Sequence, residues 1–347
     1  MPEMGWASCA ATGLGALPGN DPREAARIVA GELTDCPHLP ELPDRGPGAD
    51  PIGRTCSLLP MTDFGLETTP TGWRITGGDT KVMRRAVSLR NEDADELQEQ
   101  LQGYRGPIKA QVVGPWTLAA GIELSGGERV LRDPGACREL AAALADACTT
   151  YIGELQRRFP HCDVLLQVDE PALPAVLTGT IGTASGLSRY RAVEASVMEG
   201  ALRTVLAAAQ AAGAWTIAGC PGVQVPVRLL VAAGAQGLEI DLVDRLVSDE
   251  DLGWAWEQGL GLLAGSVQPT WALDGRPITD TRASQAIRDA AHRLGLHDQR
   301  YMAQVLVTPT HGMAALTPDR VRAVYAACRS ARRALLDERG EGGSDDD

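Results

Sequence analysis

Four short apolar runs in this chain end on groups that do chemistry. Residues 164–168 stop at Asp169 and Glu170, residues 215–219 stop at Cys220, the run from Gly237 carries Glu239 and Asp241, and "LVTPTHG" ends on His311. The first, Val164 to Val168, is rich in Val and Leu and reads as a strand buried on both faces, and the others are as short. A thiolate, a carboxylate and an imidazole gathered at one rim would make a zinc ligand set of Cys220, Asp241 and His311. Glu239 and Asp241 are two residues apart and point the same way, with Asp241 nearer the strand end. The same alternation puts Gln167 and Asp169 on one face and Glu170 on the other. One carboxylate then faces a site while its neighbour meets the helix layer or a loop. No local spacing such as CxxC or HExxH accompanies these groups, so each keeps a structural alternative: packing for the thiol, a loop hydrogen bond for the imidazole, helix capping for the acids.

Positioning such groups falls to a repeated local plan, an apolar run, a Gly/Pro break and then a helical stretch, visible seven times along the chain. An eighth unit fits within the irregular segment 37–90. Strands alternating with amphipathic helices predict an α/β fold with a parallel sheet, here a (β/α)8 TIM barrel with a Pro/Gly-rich excursion after the first helix. In that fold the chemistry sits at the C-terminal ends of the strands. The expectation is a single barrel domain over 1–338 and a disordered acidic tail over 339–347. His38 in the excursion reads as a loop residue, and His161, His292 and His297 as residues of connecting segments. Trp215, Trp254 and Trp256 read as packing.

Composition narrows the function. The chain has 347 residues, 44% of them hydrophobic, and a formal charge of −13. That charge, with no run of basic residues, excludes a nucleic-acid surface. No apolar run reaches the about 18 residues of a membrane helix, and the N-terminus lacks the pattern of a signal peptide. Eight cysteines without regular spacing predict free thiols and a cytoplasmic location. Neither GxGxxG nor a phosphate-binding GxxxxGK[ST] loop is present.

The segments "ATGLGALPGNDPREA", "IKAQVVGPWTLA", "LLQVDEPAL" and "TPTHGMAAL" together span nearly the whole chain. They resemble the catalytic domain of the cobalamin-independent methionine synthases, within the uroporphyrinogen decarboxylase and methionine synthase barrel superfamily, in a short single-barrel form. The resemblance implies methyl transfer to a zinc-bound thiol such as homocysteine. It makes Asp169 the group that holds the substrate's amino group. Gly13, Leu14, Gly15 and Ala16 would receive its carboxylate, and Trp116 would lie in the same mouth. Cys220, Asp241 and His311 fall at family zinc positions, but Ala218 stands where the family has a His and His311 where it has a second Cys. Ser266 stands at the position of the His that protonates the folate leaving group. A hydroxyl is a poor general acid near neutral pH, so these departures favour a more activated donor than methylfolate, such as a methylcorrinoid carried by a corrinoid protein. Two alternatives remain open, a diverged lyase or decarboxylase and a catalytically silent barrel that binds a metabolite.

Overall fold

Helix starts are written into the sequence as capping residues. The Asp21 carboxylate accepts from the backbone N–H groups of Arg23 and Glu24, and Pro22 opens helix α1 (Pro22–Glu32). Thr80 caps α2 (Lys81–Gln100), Asp133 with Pro134 begins α4 (Pro134–Arg158), and Ser248 caps α6 (Asp249–Glu257). Between them lie α3 (Pro115–Gly121) and α5 (Ala195–Ala211), and α7 (Asp280–Leu294) and α8 (Pro318–Glu341) follow. The computed structural model describes residues 6, 8–183, 186–272, 280–296 and 298–341.

The strands are β1 (Ala10–Ala11), β2 (Gly106–Val113), β3 (Cys162–Asp169), β4 (Trp215–Gly219), β5 (Gly237–Asp241), β6 (Gly261–Val267) and β7 (Val305–Pro309). They form one curled sheet in the order β1-β7-β6-β5-β4-β3-β2, every pair parallel. The fold is therefore α/β and TIM-barrel-like. The expected eighth strand has no continuous ladder. His38 bridges Lys109 and Glu41 bridges Ala16, so segment 37–41 lies between β2 and the chain just after β1. Its backbone makes four hydrogen bonds to these neighbours, at 2.8–3.0 Å. Pro37, Pro40 and Pro43 have no N–H to donate, which prevents a regular ladder from running through them. Further along the excursion, strands Leu66–Thr69 and Gly72–Ile75 pair as a hairpin, and with Ile122–Glu123 they make a separate three-stranded sheet.

Two cores result from the alternation along the strands. Residues such as Val164, Val168, Ala218, Leu262 and Val307 pack on the helix side, whereas Ala10, Leu165, Ile217, Leu263 and Leu306 fill the inner face with Trp6 and Cys36. Trp6 closes the inner floor, and a Cβ at Gly261 would lie 2.4 Å from its ring. Helix α8 ends at Glu341. Residues 342–347 of the expected tail and His297 lie outside the described residues. Cys36, Cys56, Cys137, Cys148, Cys162, Cys220 and Cys328 are free thiols, and no helix among the described residues is long and apolar enough to cross a membrane.

Candidate functional site

Toward the strand ends the inner face turns from apolar to polar. On β3, Leu165 is followed on the same face by Gln167 and Asp169. The register places Lys109 beside Leu165, Gln111 beside Gln167, and Glu239 beside Gly219. These side chains form a buried relay. Lys109 Nζ donates to Gln167 Oε1 at 2.7 Å and to Gln111 Oε1 at 3.1 Å. With its oxygen so engaged, the Gln167 amide turns its NH2 toward the acids, donating to Asp169 Oδ1 at 2.6 Å and lying 3.4 Å from Glu239 Oε2. Glu239 reaches across β4 to do this because Gly219 has no side chain: a Cβ there would sit 2.4 Å from Glu239 Oε2.

Burial sets the electrostatics of this relay. Asp169 and Glu239 both titrate well above ordinary carboxylates. Burial is the main cause for each and their mutual repulsion adds to Glu239, while Lys109 pulls both back. The Lys109 ammonium is itself lowered by burial, against the attraction of Asp169 and other acids. Asp169 is only half-buried and is the member of the pair that faces the open end.

The next residue along shows why two carboxylates follow one another. Glu170 turns to the helix side, where its oxygens accept from the N–H groups of Trp116 and Thr117, at 2.9 and 2.7 Å, and from the Thr117 hydroxyl at 2.6 Å. It therefore clamps the N-terminus of α3, a favourable place for a negative group. Burial still pushes its carboxyl up to about 7. Gly114 must be glycine, since a Cβ there would lie 2.5 Å from this carboxylate.

The expected zinc ligands are not gathered. Among the described residues no group of three His, Cys, Asp or Glu side chains is disposed to hold a metal ion. Cys220 follows Gly219 by one residue, which puts it out of phase with the inner face. It packs in the helix-side core, its thiol raised well above the ordinary range by burial and then by Glu170, Glu239 and Asp169. Asp241 Oδ1 accepts from the N–H groups of Val243 and Asp244, both at 2.8 Å, closing a turn. Burial raises the Asp241 carboxyl, against the backbone donors of Asp244 and Val243 and, least of the causes, His311. His311 is half-exposed, and its Nδ1 donates to the Gly312 carbonyl at 2.9 Å. A thiol in the core and an acid already engaged by backbone donors do not fit a zinc ion. Ala218 also faces the helix-side core, so its small side chain leaves no hole beside the site.

The other expected contacts divide. Gly13 is required by packing, since a Cβ would stand 2.3 Å from the Tyr325 hydroxyl and 2.5 Å from His38 Nε2. Leu14 joins the inner apolar cluster, Gly15 adopts φ +112 over the Gln111 side chain, and Ala16 is half-exposed at the open end. Trp116 is not in the mouth. It is 3% exposed, and its Nε1 donates to the Met198 carbonyl at 3.0 Å on the helix side. Thr308 pairs with Gly265 and Pro309 with Val267, so Ser266 is the extra residue of a bulge. The hydroxyls of Ser266, Thr308 and Thr310 are buried without a hydrogen-bond partner among the described residues.

His38, read from sequence as a loop residue, is fully buried between β2 and the first-strand segment. Its Nδ1 donates to the Leu39 carbonyl at 2.9 Å, and its Nε2 accepts from the Tyr325 hydroxyl at 2.7 Å. Burial and then Lys109 push it down to about 3, so it is neutral. Lys109 and Gln111 were also missed as site groups, and of the pair Glu239 and Asp241 it is Glu239, not the preferred Asp241, that joins the relay. Their signal was present as polar residues at period two inside apolar runs, Lys109 and Gln111 between Ile108, Ala110 and Val112.

This geometry defines a class: a curled parallel sheet with polar groups clustered at the C-terminal ends of its strands, as in TIM barrels. Comparison of folds agrees. The chain is similar to a B12-independent methionine synthase from Shewanella sp. W3-18-1, whose structure is a complex with selenomethionine, at 14% identity and TM-score 0.62 over 96% of this chain and 100% of that one. It is also similar, at 8% identity and TM-score 0.50 over 98% of this chain and 88% of that one, to a pneumococcal virulence factor studied for N-glycan recognition and hydrolysis. At such identities the likeness is one of fold. No protein-family profile and no curated protein sequence matches the chain.

Proposed function

We propose that this chain is a methionine-synthase-like methyltransferase acting on a small amino-acid thiol such as homocysteine. The observation that carries the reading is Asp169, a half-exposed carboxylate anchored from behind by Gln167 and Lys109 and paired with Glu239 at the open end of the sheet. An acid held in that way receives the ammonium group of an amino acid. The backbone at Gly15 and Ala16 and the unpartnered hydroxyls of Ser266, Thr308 and Thr310 are donors for its carboxylate.

Thiol activation is assigned to His311 rather than to a metal. With Nδ1–H held by the Gly312 carbonyl, Nε2 carries the lone pair that accepts the thiol proton. The sulfur then forms its bond to the methyl carbon, and the donor departs with the electron pair of the broken bond. The position of the family's folate-protonating His is held here by Ser266, whose hydroxyl is a poor general acid, so the donor favoured is one that leaves unprotonated, a methylcorrinoid, free or on a corrinoid protein, over methylfolate.

The reading is tested by incubating the protein with homocysteine and either methylcobalamin or methyltetrahydrofolate and measuring methionine by mass spectrometry. Methionine is expected with methylcobalamin and is expected to be lost in His311→Ala. Calorimetry should show Asp169→Asn weakening homocysteine binding by about 1.5–3 kcal/mol, the scale of a hydrogen bond to a charged group. No methionine from either donor, together with no homocysteine binding, would overturn the proposal.

A further inference from the structure

A second concave site lies on the outer side of the sheet, remote from the acids of the inner face. Helices α4 and α5 pack together, and their N-terminal halves border a groove of about 1210 Å³, whose lining includes Leu131, Ala141, Val193, Val197 and Ala201. That is slightly above the usual range of small-molecule sites, about 300–1,000 Å³. Val197, one of two large apolar side chains exposed among the described residues, is in the lining at 53% exposure. Gly200, exposed in the middle of α5, also lines the groove, and a Cβ built on it meets nothing within 4 Å. Glycine weakens a helix interior, so at this position it leaves open space at a cost to the helix.

Charge gives the groove its polarity. Arg132, Arg138, Arg189 and Arg191 line it on a chain whose formal charge is −13. Arg132 pairs with Glu128 at 3.4 Å. The side chains of Arg138, Arg189 and Arg191 have no carboxylate within ion-pair distance among the described residues. Arg132 precedes α4, Arg189 and Arg191 precede α5, and Arg138 stands at the start of the second turn of α4. The lining then continues along α5 to Thr204, about 14 Å beyond the start of that helix at 1.5 Å per residue. The groove is cationic at one end, with small and apolar residues along the rest.

We propose that this groove binds a small amphipathic anion, a carboxylate or phosphate head held by the arginines and an unbranched apolar body of about ten carbons laid between α4 and α5. The rest of the acidic surface repels such a ligand, which favours this one patch.

The test is calorimetry on the full chain with decanoate, decyl phosphate and decyltrimethylammonium, which share a tail and differ in head group. Both anions are expected to bind at sub-millimolar concentration, more weakly as salt is raised, and the cation to bind at least about tenfold more weakly. Comparing the two anions identifies the preferred head. Arg189→Glu combined with Arg191→Glu should lower anion affinity at least about tenfold. Gly200→Leu should abolish binding while leaving the melting temperature unchanged or higher, because it fills open space and improves helix propensity. Equal binding of the cation, full affinity in either variant, or no heat from either anion overturns the proposal. So does a shift in oligomeric state caused by the groove variants, or binding of an oligoglutamate peptide in place of the decyl anions.

Discussion

At the scale of single residues, protonation is the property most open to measurement. The Glu239 carboxyl is raised in the folded chain and ordinary in the unfolded one, so the folded state binds more protons between the two values. Its stabilising contribution is complete below the unfolded value, about 4.3, and is lost as pH rises through the folded value. Glu239→Gln should therefore lose less stability than the parent between about pH 5 and about pH 8, by on the order of 1 kcal/mol or more, read from urea unfolding at both pH values. Parallel curves would contradict the assignment. His38 acts in the opposite sense: its folded value is depressed, so its contribution is lost as pH falls from about 6.5 toward 3. Part of this was legible beforehand. Period two alone separated Asp169 from Glu170, and the helix-capping alternative written for an acid at a strand end describes Glu170, whereas Asp241 closes a turn instead. Cys220 was misplaced because counting a single residue past Gly219 reverses the face, and no local spacing marks that phase.

Among elements, the excursion depends on one buried charge cluster. Asp93 on α2 is fully buried and binds both Arg45 and Arg54, and Arg54 also lies 3.6 Å from Glu41. This ties α2 to the Pro-rich segment that carries Glu41 and His38. Asp93→Ala removes the buried carboxylate that both guanidinium groups share, leaving Arg54 with Glu41 and Arg45 with Glu92, and should cost about 3–5 kcal/mol in chemical denaturation. A cost below about 1 kcal/mol would mean that water replaces the carboxylate there. The helices themselves were legible in Asp21–Pro22 and Asp133–Pro134, because capping chemistry is local. The pairings of 37–41 were not, since they depend on which distant backbone lies beside three prolines.

For the whole molecule, the inner face is graded from an apolar floor at Trp6 to a polar opening. The Trp6 ring rests on Gly261 and stands edge-on to Trp215, with ring centroids 5.1 Å apart. Trp6→Ala empties that floor and should cost about 3–5 kcal/mol, visible as a lowered melting temperature, with the proposed binding of homocysteine at the far end little changed. Equal loss of both would show that floor and opening are a single unit. The join at segment 37–41 carries a consequence of its own. Where every other neighbouring pair is laced by a ladder or packed against a helix, this seam is held by a handful of amide contacts beside His38. In deuterated solvent the amides of Leu39 and Glu41 should exchange ahead of those in β3 and β6, so that the sheet breathes first along the line where its two edges meet.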